Sequence, residues 1–282
     1  HDTYSSFLAP LLPLLIDKFG ITYGMTGILT MFQRLPSLLN PLVGILADRL
    51  RARFLVILSP AITCLAMSLL GVAPSYTVLA VLLLVMGISS SLFHVPAPVM
   101  IRKVSGKQIG KGMSFYMIGG ELARTLGPLI IVGGVSLWGL EGSWKLAPFG
   151  IIASAIIYLT LRKTRITQSF HKDKQSGFRS FFKTHQQLFL ILIAYTFFRA
   201  FMKQSLSVLL PTYLTHVRGE SFENGGLAYT LFQAAGVIGT FIAGKYSDNI
   251  GRKSMLLIIS ISAPLLFLLF IFSPPEYSFY LI

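Results

Sequence analysis

Two similar stretches of sequence decide the fold: GILADRLRAR at residues 44–53 and GKYSDNIGRK at residues 244–253. Each has a glycine, an aspartate four residues later and a basic cluster, and each follows a long apolar segment. The two aspartates, Asp48 and Asp248, are 200 residues apart, and the second copy comes six apolar segments after the first. A repeat of this kind indicates a chain built from two similar halves.

The composition around these stretches is that of a membrane protein. Of the 282 residues, 54% are hydrophobic and 12% are charged, and the mean hydropathy is +0.71. Soluble domains carry about 25% charged residues, so this chain could not cover its own surface in water. The chain has 24 Lys and Arg against 10 Asp and Glu. In a soluble protein that excess would suggest nucleic-acid binding, but basic loops on one side of a membrane explain it here, and we expect no nucleic-acid partner.

The apolar segments predict the number of membrane spans. A helix needs about 20 apolar residues to cross the bilayer. Nine segments are long enough or nearly so, at about 3–16, 24–47, 54–73, 76–101, 113–138, 143–161, 188–214, 224–246 and 254–273, and a tenth begins near Tyr277. The runs are too long and too continuously apolar for barrel strands. We therefore predict an all-α membrane protein of about nine helices plus the start of a tenth, and a longer chain beyond both ends.

The distribution of basic residues predicts the orientation. Seventeen of the 24 lie in the loops that follow the second, fourth, sixth and eighth segments, and three lie in the opposite loops. Short loops rich in Lys and Arg stay in the cytoplasm, so the chain is expected in the cytoplasmic (inner) membrane of the cell. We predict an N-terminal half at 1–161 with a truncated first helix, a basic cytoplasmic linker at 162–187, and a partial C-terminal half at 188–282.

The two repeated motifs resemble those of the major facilitator superfamily, in which GxxxDxxGRK joins the second and third helices of each six-helix half. Four stretches resemble the fosmidomycin-resistance branch: HDTYSSFLAPLLPLL at 1–15, MFQRLPSLLNPLVGILADR at 31–49, GISSSLFHVP at 87–96 and GGELARTLGP at 119–128. The resemblance implies two six-helix halves that rock about a midplane site. It implies a monomer that exports a small drug or metabolite in exchange for protons. Uptake of an organic anion by symport on the same fold is the alternative.

The repeated motifs are predicted to form a conformational latch at the cytoplasmic helix ends. Glycine allows a neighbouring helix to approach closely, and aspartate accepts hydrogen bonds from a helix N-terminus or pairs with arginine. A turn that merely carries topology-setting charges is the simpler alternative. The predicted latch residues are Gly44, Asp48, Arg49, Arg53, Gly244, Asp248, Gly251, Arg252 and Lys253.

Basic residues inside the spans point to the substrate. Each costs roughly 2.5–3.5 kcal/mol at a helix centre, so each must pair, face water or bind a ligand. The guanidinium fork of arginine suits a carboxylate or phosphonate, which predicts a small anionic or zwitterionic substrate. Two alternatives stay open: a structural ion pair between Glu121 and Arg124, and a Lys203 that snorkels to the interface. The predicted substrate-binding residues are Arg34, Arg124, Arg199, Lys203 and Tyr195.

Proton coupling requires a group that gains and loses a proton within the membrane. The candidates are Asp2, Glu121 and His94, although a histidine hydrogen-bonded at a proline-broken helix end is equally ordinary. Gly119, Ala123 and Gly127 form a strip along which another helix could pack. The sequence contains no HExxH, GxSxG or phosphate-loop motif and no Cys/His cluster, so we predict no enzyme activity, no cofactor and no metal. A non-transporting membrane receptor remains a further alternative.

Overall fold

The chain folds into helices throughout the part that the structure, a computed structural model, describes: residues 1–49, 52–106, 108–162 and 186–274. Three 3-10 segments, at Leu35–Leu39, Leu70–Val72 and Leu140–Leu146, connect some of the α-helices. The α-helices within these ranges are α1 (Asp2–Ser5), α2 (Leu8–Phe19), α3 (Tyr23–Arg34), α4 (Asn40–Arg49), α5 (Ala52–Ser68), α6 (Tyr76–His94), α7 (Pro96–Val104), α8 (Ile109–Trp138), α9 (Ala147–Leu161), α10 (Gln186–His216), α11 (Phe222–Ile250) and α12 (Arg252–Phe272).

Helices occupy all nine predicted spans, and turns or 3-10 segments divide five of these spans into shorter pieces. Proline causes two of the breaks: Pro36 lies at the start of the 3-10 segment that ends α3, and Pro96 begins α7. Proline lacks the N–H that a continuing helix needs, so the chain re-starts there. The first break allows close packing, because a Cβ on Gly87 would collide with the carbonyl of Gln33 and the Pro36 ring. The predicted tenth segment, near Tyr277, lies outside the described residues.

Six helical stretches are long and apolar enough to cross a membrane by length and composition, counting only the described residues. Of the other three predicted spans, two are divided into short helices, and α11 carries polar residues such as Asn224 and Gln233 along its length. The prediction of a multi-pass all-α membrane protein is therefore confirmed. The six stretches are Arg53–Val72, Tyr76–Val104, Lys111–Trp138, Leu140–Leu161, Gln186–His216 and Lys253–Phe272.

The helices form two groups that meet along their length. In the first group, α1–α9, helix α5 packs against α6 and α9, and α1 packs against α8. In the second group, α10–α12, helix α11 packs against both of the others. The groups meet where α8 contacts α11 and α2 contacts α10. The predicted linker between the groups lies almost wholly outside the described residues, and its boundaries stay a prediction.

A large buried cluster lies inside the first group, where Phe7, in the turn before α2, and Leu11 and Leu15 of α2 pack against Leu29 and Met67, all 0% exposed. A smaller cluster in the second group contains Leu210, Leu214, Ala228 and Phe270. Large apolar side chains also cover the outside, as Leu137 and Phe272 do at 76% and 81% exposed. Exposure of these apolar side chains to lipid carries no free-energy penalty. Helix association in the membrane therefore depends on close packing rather than on exclusion of water.

Candidate functional site

A cavity of about 460 Å³ lies between the two helix groups. On one side it is bordered by residues of α1, the turn after it, α2, α3 and α8, and on the other side by residues of α10 and α11. A cavity of this volume suits a small molecule. Its lining comprises Ser5, Ser6, Leu8, Ala9, Gln33, Arg34, Glu121, Arg124, Ala200, Lys203, Gln204, Ser207, Val208, Tyr229, Phe232, Gln233, Ala235 and Gly236.

Three of the four basic residues predicted inside the spans line this cavity, and each has a different partner. Arg124 donates from Nη2 to Oε1 of Glu121 at 2.8 Å. Arg34 donates from Nη2 to Oε1 of Gln204 at 3.3 Å, across the boundary between the helix groups. Lys203 is exposed and, within the described part of the chain, makes no hydrogen bond or ion pair. Three cations and one carboxylate give the lining a net positive charge, which attracts anions.

The other two predicted binding residues, Arg199 and Tyr195, are not among the residues that line this cavity. Ala200, Lys203, Gln204 and Ser207 share the face of α10 that borders the cavity, and Arg199 is displaced from Ala200 by about 100° around the helix. Arg199 is exposed. Tyr195 lies further along α10, where its hydroxyl accepts a hydrogen bond from Ser260 of α12 at 3.4 Å.

Helix α1 lies in a groove on α8 that small residues create. A Cβ on Gly127 would collide with the Thr3 carbonyl and the Ser6 hydroxyl, so only glycine permits this approach. A Cβ on Gly120 would lie 2.8 Å from Oδ2 of Asp2. Gly119 has nothing within 4 Å of the same position, so the strip uses Gly127 as expected, with Gly120 in place of Gly119.

The Asp2 carboxylate is held next to the cavity by this groove. Its Oδ1 lies 3.1 Å from Nε2 of His94 on α6, and the Asp2 side chain is 14% exposed. The other ring nitrogen of His94 lies 3.2 Å from the hydroxyl of Tyr116. Asp2 and Arg124 both lie within 4 Å of where a Cβ on Gly120 would be, so the aspartate–histidine pair borders the arginine–glutamate pair. The three predicted coupling residues are thus brought into one region around α8.

A second histidine, His1, lies beside this pair. Its ring is stacked on Phe93 with 5.0 Å between centroids, and its Nδ1 lies 2.8 Å from the hydroxyl of Thr63. One ligand atom of each of His1, Asp2 and His94 lies within 4.8 Å of the others, close enough for a metal ion. The Asp2 carboxylate and His94 are within hydrogen-bonding distance of each other at 3.1 Å, and the His1 imidazole lies beside them.

The helix groups also contact each other at the end of the bundle opposite the basic loops. Nε2 of His216, at the end of α10, lies 3.5 Å from Oδ1 of Asp17 in α2. Nδ1 of the same ring lies 3.4 Å from the hydroxyl of Tyr23 at the start of α3. Ser136 of α8 donates a hydrogen bond to Glu223 of α11 at 2.9 Å. These contacts hold this end of the cavity together.

Residues 2–282 match the sequence profile of the Major Facilitator Superfamily. The chain belongs to this superfamily. It is 28% identical over 260 residues to a fosmidomycin resistance protein of Escherichia coli (strain K12), covering 90% of this chain and 63% of the relative. It is 25% identical over 257 residues to an uncharacterised MFS-type transporter of Yersinia pestis, covering 88% of this chain and 64% of the relative. The chain therefore spans less than two thirds of the length of these relatives.

A crystal structure of a bacterial homologue of the human lysosomal transporter Spinster, inward-facing and unoccupied, matches the fold with a TM-score of 0.74. The identity is 20%, and the match covers 89% of this chain and 60% of that one. The resemblance to the superfamily and to its fosmidomycin-resistance branch is confirmed by these matches. The Yersinia pestis relative and the Spinster homologue are transporters by name, and the superfamily is one of transporters, in agreement with the prediction that the chain is not an enzyme.

The structure describes part of the superfamily's repeated motif. In the first copy, Arg53 donates from Nη1 to the carbonyls of Leu161 and Arg162 at 3.4 and 3.1 Å, which caps the end of α9. A Cβ on Gly44 would lie 3.9 Å from Val95, an ordinary contact. In the second copy, Gly251 has a φ of +90° in the turn between α11 and α12, a conformation that favours glycine. Lys253 is exposed at the start of α12. The surroundings of the other predicted latch residues, Asp48, Arg49, Gly244, Asp248 and Arg252, lie outside the described part.

Several cavity residues escaped the sequence analysis because they are polar but uncharged. Gln33, Gln204 and Gln233 line the cavity, and Tyr116 supports His94. An amide inside an apolar span is costly unless it is hydrogen-bonded, so the three glutamines could have been found as polar residues in otherwise apolar segments. Tyr116, Gly120 and Arg124 are spaced by four on α8, which was also readable from the sequence.

Proposed function

We propose that the chain is part of a secondary active transporter that exports a small anionic or zwitterionic drug or metabolite in exchange for protons, by alternating access. The observation that carries this proposal is the 460 Å³ cavity between the helix groups, with three basic side chains and one acid in its lining. Cations inside membrane spans are costly without a partner or ligand, and they mark substrate pathways. Similarity to a fosmidomycin resistance protein supports export rather than uptake.

The proposed substrate site is centred on Arg34 and Arg124, with Lys203 on the facing helix group. A planar guanidinium can donate two parallel hydrogen bonds to a carboxylate or phosphonate. Glu121 neutralises one of the two arginines, and it could also accept a cationic group of a zwitterion. Arg199 and Tyr195 remain predicted contributors that would have to reach a substrate from another part of α10.

The proposed proton-coupling group is Asp2, with His94 and Glu121 as its companions. Protonation of Asp2 would remove the charge that attracts His94 at 3.1 Å and would weaken the attachment of α1 to α6. Since the same carboxylate borders Arg124 at Gly120, loss of its charge would also raise the positive potential around the proposed substrate site. Proton uptake and anion binding would then be linked through electrostatics within one region.

Alternating access would require the helix groups to separate at one end while they close at the other. The contacts of His216 with Asp17 and of Ser136 with Glu223 would have to break for the cavity to open at their end. The repeated motif at the opposite end would act as the latch for the other state. We propose that the protein works as a monomer in the lipid bilayer of the inner membrane, with the basic linker in the cytoplasm.

The deciding experiment is transport by the purified full-length protein in proteoliposomes with an imposed pH gradient. A panel of phosphonates including fosmidomycin, organic acids and cationic drugs is tested in both directions of the gradient. Anion movement in the direction opposite to proton movement supports the proposal. Anion movement in the same direction as the protons supports the alternative, uptake of an organic anion by symport. Binding confined to cationic drugs would contradict the electropositive site. Arg34→Gln should lower anion flux at least tenfold, because it removes the fork without changing the helix.

A further inference from the structure

The two arginines of the cavity differ in the charge of their partners. Arg124 forms an ion pair with Glu121 at 2.8 Å, so its positive charge is compensated within the protein. Arg34 donates to the neutral amide oxygen of Gln204 over a longer distance of 3.3 Å. Both bonds have a charged donor, but only the bond to Glu121 adds the Coulomb attraction between opposite charges. An anion entering the cavity would therefore replace Gln204 on Arg34 far more easily than it would replace Glu121 on Arg124.

The Arg34–Gln204 hydrogen bond joins the two helix groups, so its replacement by a ligand would remove a contact between them. Arg34 belongs to α3 in the first group, and Gln204 belongs to α10 in the second, 170 residues away in sequence. Lys203, next to Gln204, lines the cavity without a partner of its own in the described part of the chain. The contact is thus a bridge between the helix groups at the cavity, made by a side chain that a ligand can displace.

The neighbouring amides do not share this arrangement. The amide nitrogen of Gln33 donates to the carbonyl of Ser5 at 3.3 Å and lies 3.6 Å from Sδ of Met86, both within the first group. Gln233 lines the cavity from α11 and, in the part of the chain that the structure describes, makes no hydrogen bond to Arg34. Of these three glutamines, only Gln204 accepts a hydrogen bond from an arginine side chain in the described part of the chain.

We propose that Gln204 is a specificity-determining residue that holds the Arg34 guanidinium while the cavity is empty and yields it to the oxyanion of the ligand. This inference rests on the proposed anion site and adds to it the residue that sets its affinity. Gln204 must be uncharged to release Arg34, because a carboxylate at the same position would form an ion pair with Arg34 and compete with the ligand. An apolar side chain would leave the guanidinium free for the ligand.

The test is isothermal titration calorimetry of the purified full-length protein in detergent, with fosmidomycin and inorganic phosphate as the probes. Gln204→Glu should raise the Kd at least tenfold. Gln233→Glu places the same charge in the same cavity at a residue that makes no hydrogen bond to Arg34 in the described part of the chain. The rise in Kd for Gln233→Glu should be at least threefold smaller than the rise for Gln204→Glu. Gln204→Met should keep the Kd within threefold of the unsubstituted protein, or lower it. Thermal unfolding of each variant verifies that it is folded.

The outcomes separate this inference from the proposed function. Equal increases in Kd for Gln204→Glu and Gln233→Glu would show a general effect of charge and overturn the role of Gln204, while the anion site would stand. A Kd raised more than threefold in Gln204→Met would show that Gln204 binds the ligand directly, which also overturns the inference. If neither probe binds the unsubstituted protein at millimolar concentration, the anion site itself is wrong and this inference falls with it.

Discussion

Gly127 offers the sharpest test of how α1 is held against α8. A Cβ on Gly127 would overlap the Thr3 carbonyl and the Ser6 hydroxyl, so Gly127→Ala must push the α1 backbone away from α8. Thr3 directly follows Asp2, whose Oδ1 lies 3.1 Å from Nε2 of His94. The substitution therefore disturbs both the packing of α1 and the geometry of the proposed coupling carboxylate.

The expected loss of stability in Gly127→Ala depends on which atoms the new methyl group meets. A backbone carbonyl cannot rotate aside as a flexible side chain can, and forcing a methyl group into a packed site costs about 1–3 kcal/mol. Gly119→Ala, on the same helix, is the matched control, because nothing lies within 4 Å of its Cβ position. There alanine should be neutral or should stabilise the helix by up to about 1 kcal/mol.

The assay is thermal unfolding of the full-length protein in detergent, followed by proton-driven flux in proteoliposomes. Gly127→Ala should lower the Tm by about 5 °C, on the basis of about 2–4 °C per kcal/mol for a protein of this size, and Gly119→Ala should not lower it. Flux should fall in Gly127→Ala and persist in Gly119→Ala. Equal Tm values for the two variants would refute the close approach of α1 to α8.

Four further perturbations test other parts of the molecule. Asp2→Asn should abolish pH-driven flux and leave ligand binding intact; flux that still follows pH would exclude Asp2 as the coupling residue. Arg218→Met should destabilise the protein by about 1–3 kcal/mol in thermal unfolding, because Arg218 donates to three carbonyls at the end of α12, at 2.8, 2.9 and 3.3 Å. Glu223→Ala, in a Ser207→Cys background, should raise labelling of the cavity cysteine from the side opposite the basic loops about fivefold, for a lost hydrogen bond of about 1 kcal/mol; unchanged labelling would mean that this contact does not restrain opening. Asp248→Ala should preserve membrane insertion, measured by fractionation, and impair turnover; normal transport would refute the latch.

Helix positions were predictable because they depend on local properties. The length of each apolar run fixes whether it can cross the bilayer, so all nine predicted spans contain helix. The breaks within the spans were not predicted in detail. Pro36 and Pro128 are both prolines inside apolar runs, yet only the first interrupts its helix. What the neighbouring helices offer to the freed backbone groups decides between these outcomes.

The candidate site was predictable in its residue types and less so in its membership. Charged residues inside apolar spans are conspicuous, and Arg34, Arg124, Lys203 and Glu121 do share one cavity. Arg199 is also a charged residue inside an apolar span, but it does not line that cavity. The glutamines gave a weaker signal, because an amide in a span is less costly than a charge.

The sequence by itself determined that this chain is a helical membrane protein with a motif that occurs twice, because the partition of a segment between water and lipid depends on that segment alone. Only the tertiary structure decided which polar groups meet. Arg34 and Gln204 are 170 residues apart, and their contact depends on how two helix groups face each other. Gly120 rather than Gly119 receives α1, since the direction in which a residue points is fixed by the helix that packs against it.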